Sequence, residues 1–115
     1  TERRHRDLER RAQHDPLTGL ANRALFEQRL AAAISGQAQA GLVAMLLLDL
    51  DRFKEVNDTY GHRFGDLVLC GIAERLRGSV RRDDTVARLS GDEFAVLITG
   101  LHDPSEAHRM AQGLI

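Results

Sequence analysis

The chain has 115 residues, 43% of them hydrophobic, with 16 Lys and Arg against 17 Asp and Glu and a formal net charge of −1. That length holds one small domain, and the near-neutral balance argues against nucleic acid as a partner. The single Cys70 excludes a disulfide framework and points to a reducing compartment. No apolar run is long enough to span a membrane, and no signal peptide is visible. The chain starts and stops abruptly, as a piece of a longer protein would.

Residues 1–14 are mostly charged, with Leu8 and Ala12 as their only apolar stripe, and favour a solvated helix that cannot stand alone. Asp15-Pro16 ends it, because the residue before proline is pushed away from helical angles. Asn22 is placed to cap a helix over Arg23–Ser35, with Phe26, Leu30 and Ile34 as its buried face. The run Leu42–Leu48 is apolar without alternation, which predicts a central strand buried on both faces. Asp51 can then cap a short helix through about Asp58 with Phe53 and Val56 turned inward, and Gly61 ends it. Gly65-Asp66 is expected to open the next helix, with Asp66 as its cap. Leu69, Ile72, Ala73 and Leu76 form its core face, and Gly78 is placed to end it. Val86–Ile98 reads as a hairpin around Ser90-Gly91-Asp92-Glu93, with Gly91 in the positive-φ place of the turn. Asp103-Pro104 begins a last helix, with proline at its favoured first position.

The chemistry lies in two acidic clusters. Asp49-Leu50-Asp51 closes the most apolar run, and Asp92-Glu93 sits at the hairpin tip, where adjacent carboxylates weaken a purely structural turn. If the hairpin pairs beside the apolar strand, Asp49, Asp92 and Glu93 converge on one sheet edge with no basic partner among them. Such a set suits a hard divalent cation, which takes oxygen ligands from one or two carboxylates and substrate phosphates. An EF-hand reading of Asp49-x-Asp51 fails, because the required glycine and terminal glutamate are missing. Read without the second cluster, Ser90–Glu93 would be a solvated acidic turn.

Four motifs then align in order: Asp15-Pro-Leu-Thr-Gly-Leu-Ala-Asn-Arg23, Leu48-Asp-Leu-Asp-Arg-Phe-Lys54, Asn57-Asp-Thr-Tyr-Gly-His62 and Ser90-Gly-Asp-Glu-Phe94. Together they resemble the GGDEF domain family, the bacterial diguanylate cyclases that join two GTP into cyclic di-GMP, from Asp15 to Ile115. Ser90 departs from the family's first glycine. The resemblance implies an α/β (α+β), palm-like nucleotide-cyclase fold. Its central mixed or antiparallel sheet is flanked by helices and continues past the end of this chain. Residues 1–14 would be the end of a signalling helix.

By the same resemblance, Mg²⁺ (or Mn²⁺) is held by Asp49, the Leu50 carbonyl and Asp92, with Glu93 supporting a second ion. Asp92 and Glu93 serve the chemistry, and Lys54 offsets charge on the transferred phosphate. Asn57 and Asp66 read guanine, whose edge matches a carboxylate acceptor and an amide. Phe53, His62, Ser90 and Gly91 line the nucleotide. Arg81 and Asp84 match the inhibitory product site, where an arginine fork pairs with phosphate or stacks on guanine. The implied partners are GTP, cyclic di-GMP, a second copy of the domain, an upstream sensor and a possible downstream phosphodiesterase domain. The implied setting is the bacterial cytoplasm. The alternative is a degenerate GGDEF module that senses GTP or cyclic di-GMP and regulates a neighbouring domain.

Overall fold

In the computed structural model, residues 12–36 and 41–114 are described, so residues 1–11 of the helix expected over residues 1–14 lie outside them. The elements are α1 (Arg23–Ile34), β1 (Leu42–Asp49), α2 (Phe53–Tyr60), α3 (His62–Ser79), β2 (Thr85–Ser90), β3 (Glu93–Leu101) and α4 (Pro104–Leu114). The three strands form one antiparallel sheet in the order β1-β3-β2.

The middle strand is therefore β3, and it is buried almost throughout. Its even-numbered Phe94, Val96 and Ile98 point to one face, where they pack with Leu69, Ala73 and Leu76 of α3 and Leu114 of α4. Its odd-numbered Ala95 and Leu97 point to the other, against Leu25 and Phe26 of α1 and Ala21 before it. This is the alternation that a strand imposes. Each large apolar side chain so buried contributes about 1.5–3 kcal/mol, and the small Ala87 and Ala95 let α1 approach the sheet closely.

Several expectations need correction. Among the described residues β1 is an edge strand, not a central one, and its burial alternates. Ala44, Leu46 and Leu48 pack on the α3 face, whereas Met45 and Leu47 are 47% and 61% exposed. An apolar run records composition, not which neighbours cover it. On α1, Phe26 is buried but Ile34 is 71% exposed, and Leu25 and Ala33 take the places nearest the sheet. Asn22 does cap α1, its side chain accepting from Leu25 N at 3.0 Å.

The helix starts also differ. Asp51 does not cap α2: the N-cap is Arg52, in the left-handed region at φ 58°, with no side-chain cap bond. Asp66 is not a cap either, because α3 begins at His62 behind Gly61, whose φ of 91° ends α2 and turns the chain. Gly78 lies inside α3, which runs on to Ser79. Both miscast caps arise from reading a polar residue near a helix start as its terminus, when left-handed Arg52 makes the turn into α2 and Gly61 the turn into α3.

Candidate active site at the junction of β1 and the hairpin

The pairing register brings the two acidic clusters together. Asp49 stands directly opposite Glu93, and the Leu50 N–H donates to the Asp92 carbonyl at 3.2 Å. Residues opposite each other across an antiparallel pair share a face, so Asp49 and Glu93 project on the α1 side. The expectation of three carboxylates converging without a basic partner is nonetheless corrected. Among the described residues no three His, Cys, Asp or Glu side chains gather into a metal-holding group. Glu93 is also 3.7 Å from Arg23 Nη2 at the start of α1. That ion pair is solvent-exposed and weak, worth about 0–1 kcal/mol, but it turns Glu93 toward α1.

The remaining donors still suit a hard cation. Asp49 is exposed at the strand end, Asp92 is half-buried in the turn, and the Leu50 carbonyl lies between them along the chain. Two carboxylates and a carbonyl leave positions for phosphate oxygens, the usual manner of holding Mg²⁺.

The hairpin turn is built differently from the expectation. Gly91 is not in the left-handed region, and a Cβ there would meet no atom within 4 Å. A bulge between Arg88 and Ser90 takes up the extra residue instead, so Arg88 faces Phe94 while Ser90 faces Glu93. Bulges bend a strand and strengthen its twist, which removes the need for a left-handed glycine. The Arg88 guanidinium then clasps the turn, with Nε and Nη2 donating to the Gly91 carbonyl at 3.1 and 2.9 Å. Its Nη1 reaches both oxygens of Asp15 at 3.2 and 3.3 Å. Asp15 also accepts from the Thr18 N–H and hydroxyl, both at 2.8 Å. Burial alone would raise the Asp15 pKa, but these bonds and the nearby guanidinium hold it below the ordinary value. A depression of about 380 Å³ beside the turn is bordered by Asp15, Arg23, Arg88, Ser90 and Gly91.

On the other side of Asp49, the chain turns through Asp51-Arg52 into α2. Arg52 is the one non-glycine residue with positive φ among those described. Such a residue costs roughly 1–3 kcal/mol and tends to mark functional turns. Lys54 is exposed in the first turn of α2, whose leading N–H groups have no side-chain cap. Uncapped N–H groups at a helix start are a ready anion site.

Asn57 and Asp66 come from adjacent helices, and α2 and α3 pack together as a pair. Asn57 lies over Gly65, and its Oδ1 is buried with no hydrogen-bond partner among the described residues. A buried unpaired acceptor costs about 1–3 kcal/mol, a burden that a structural asparagine would not carry without reason. Asp66 and His62 are exposed, and Phe53 is half-buried with its ring end beside Gly65.

Arg81 and Asp84 are brought together, but to each other. The Asp84 side chain is 0% exposed and accepts from Arg81 N at 2.8 Å, Nε at 3.3 Å and Nη2 at 3.2 Å. Arg81 Nη2 also donates to the Thr99 carbonyl at 2.6 Å, fastening the loop before β2 onto β3. The hydrogen bond to Asp84 raises the Arg81 pKa further. The guanidinium stays about half exposed beside a depression of about 250 Å³ that Arg29, Arg77 and Arg82 also line.

Sequence reasoning passed over Arg23, Arg52, Gly65 and Arg88. Only Gly65 left a signal, since glycine inside a helix costs about 1 kcal/mol against alanine and so asks for a reason.

An antiparallel sheet flanked by helices brings the end of β1 and the hairpin tip side by side, next to the start of α2. The family described as "Diguanylate cyclase, GGDEF domain" matches residues 12–115, and the chain belongs to it. The diguanylate cyclase TpbB of Pseudomonas aeruginosa is 50% identical over 109 residues, covering 94% of this chain and 25% of that protein. The solved GGDEF domain of TpbB superimposes with a TM-score of 0.82 at 50% identity, over 89% of this chain and 60% of that one. MucR of the same species, a bifunctional diguanylate cyclase and cyclic di-GMP phosphodiesterase, is 47% identical over 98% of this chain and 16% of its own. The structure of the coiled coil and GGDEF domain of DgcB from Caulobacter crescentus, in complex with c-di-GMP, gives a TM-score of 0.88. It is 28% identical, over 98% of this chain and 59% of that one. The chain thus spans a quarter or less of these two curated relatives. Among the described residues no helix is long and apolar enough to cross a membrane.

Proposed function

We propose that this chain is the nucleotide-binding and catalytic part of a diguanylate cyclase, condensing two GTP into cyclic di-GMP with release of pyrophosphate. The observation that carries the reading is the register that sets Asp49 opposite Glu93 and ties Leu50 to the Asp92 carbonyl.

Asp49, the Leu50 carbonyl and Asp92 would hold Mg²⁺ or Mn²⁺, with Glu93 near a second ion once drawn from Arg23. When bound, such ions polarise the α-phosphate and lower the pKa of the attacking 3′-hydroxyl. The N–H groups opening α2 bind phosphate oxygens, and Lys54 balances the charge that builds on the transferred group. Asn57 and Asp66 read the guanine edge above Phe53, with His62 and Ser90-Gly91 bordering the nucleotide. The 3′-oxygen bonds to the α-phosphorus as the bond to pyrophosphate breaks, and Asp92 receives the hydroxyl proton. One domain holds one GTP, so two domains face each other about a two-fold axis. An upstream sensor reached through residues 1–14 would set that pairing. Arg81, held rigid by Asp84, would bind a phosphate of the product at an inhibitory site.

The test is Asp49→Ala in the full-length protein, incubated with GTP and Mg²⁺ and assayed for cyclic di-GMP by chromatography. Loss of turnover on the order of a hundredfold or more is expected for a group of this kind, with thermal stability retained. Product at the wild-type rate would overturn the assignment.

A second reading, a regulatory module that binds GTP or cyclic di-GMP without turnover, is favoured by Ser90 in place of the signature's first glycine. The phosphodiesterase half of MucR shows the sort of neighbour such a module would regulate. Nucleotide binding by wild-type protein that makes no cyclic di-GMP would select it.

A further inference from the structure

We propose that Gly65 determines base specificity by serving as the floor on which the Asn57 carboxamide lies. This rests on the reading of Asn57 as a guanine-reading residue, and deepens it by naming what positions the amide.

Gly65 is buried in the first turn of α3, in backbone that any residue can adopt, since its φ is not among the positive ones. Its conformation therefore does not call for glycine, and alanine would be the better helix former. Space does call for it. A Cβ at position 65 would overlap Asn57 Oδ1, lie 2.9 Å from Asn57 Cγ, and lie 3.2 Å from Phe53 Cζ. Gly71 and Gly78 in the same helix differ, because a Cβ at either would meet nothing within 4 Å. The two side chains disturbed at Gly65 are both residues assigned to the nucleotide.

The consequence follows from what holds Asn57. Its Oδ1 has no hydrogen-bond partner among the described residues, so close packing against Gly65 holds the oxygen end of the amide. A methyl group at 65 strikes side-chain ends rather than backbone, and the strain is relieved by swinging the carboxamide away. The helix pair survives and the amide leaves its place. Gly65 is thus a positioning residue. Guanine offers a carbonyl acceptor at C6 where adenine offers an amino donor, so a displaced amide loses discrimination between them.

The experiment measures affinities of the full-length protein for 3′-deoxy-GTP and 3′-deoxy-ATP with Mg²⁺ by calorimetry, since neither nucleotide carries the attacking hydroxyl. Wild type, Gly65→Ala, Gly71→Ala, Asn57→Ala and the Gly65→Ala/Asn57→Ala pair are compared. Gly65→Ala is expected to reduce the guanine-over-adenine affinity ratio at least tenfold, Gly71→Ala to leave it unchanged, and the pair to match Asn57→Ala alone. If Asn57→Ala keeps the wild-type ratio, the guanine-reading assignment itself fails. If Asn57→Ala loses the ratio but Gly65→Ala keeps it, or if the two effects simply add, the role of Gly65 is overturned. Should Gly65→Ala not fold, the double variant decides: recovery on removing the carboxamide supports the contact, and no recovery overturns it.

Discussion

At Gly91 an added methyl group would point into open space, and the backbone there is not left-handed. Gly91→Ala is therefore expected to fold with stability equal to or slightly above wild type, by up to about 1 kcal/mol, because alanine restricts the unfolded chain. Thermal unfolding checks this, and a loss above about 1 kcal/mol would show strain that the geometry does not contain. Turnover lost in a variant that stays stable would then place the nucleotide against the turn itself. Glycine in the signature would owe its place to the ligand, not to the hairpin. Ser90 is the exposed last residue of β2 and sits opposite Glu93, so its hydroxymethyl group crowds no protein atom of the core.

Among the elements, α2 is the one that starts under strain. Its N-cap, Arg52, sits at φ 58°, and no side chain caps the helix behind it. A left-handed L-residue costs roughly 1–2 kcal/mol, while glycine at the same place gives back roughly 0.5–1 kcal/mol in entropy. Arg52→Gly should therefore be neutral to modestly stabilising, by up to about 1 kcal/mol, as read by chemical denaturation. A destabilised variant would mean that the guanidinium makes contacts worth more than the strain. The turn matters because it joins the end of β1 at Asp49 to the start of α2 within three residues.

Across the whole molecule, Arg88 joins residues far apart in sequence: Asp15 in the turn that follows residues 12–13, and Gly91 in the hairpin. The backbone adds to this clasp, with Ala21 N–H donating to the Val86 carbonyl at 3.2 Å and Arg88 N–H to the Ala21 carbonyl at 3.0 Å. The segment entering at Asp15 is thus tied directly to the turn that precedes Asp92. The pH dependence has a definite sign. Because the folded pKa of Asp15 is lowered, its contribution to stability is present above the ordinary carboxylate value near 3.8 and is lost as pH falls through the lower, folded value. Wild type should exceed Asp15→Asn in stability at pH 7, with the gap narrowing as the pH drops below about 3.8. A gap that does not change with pH would show that the carboxylate charge has no part in it.

Much of this was legible locally. Asn22 capping α1, proline opening α4, Gly61 closing α2 and the two strands around residues 90–93 all follow from neighbours within one helical turn or one hairpin. The ordered motifs also named the family, because four short patterns at fixed spacings carry far more information than any one of them. Tertiary structure alone decided the rest. Leu42–Leu48 could not reveal that β3, not β1, is the middle strand, since burial depends on what lies beside a strand and not on its own composition. Nor could Asp92-Glu93 reveal that Glu93 leans to Arg23, that a bulge and Arg88 replace a left-handed Gly91, or that Gly65 underlies Asn57. Each of those contacts joins residues separated in the chain or rests on a single backbone angle. Apart from the glycine inside a helix at 65, they leave no trace in residue type or periodicity, the only quantities that a sequence exposes to physical reading.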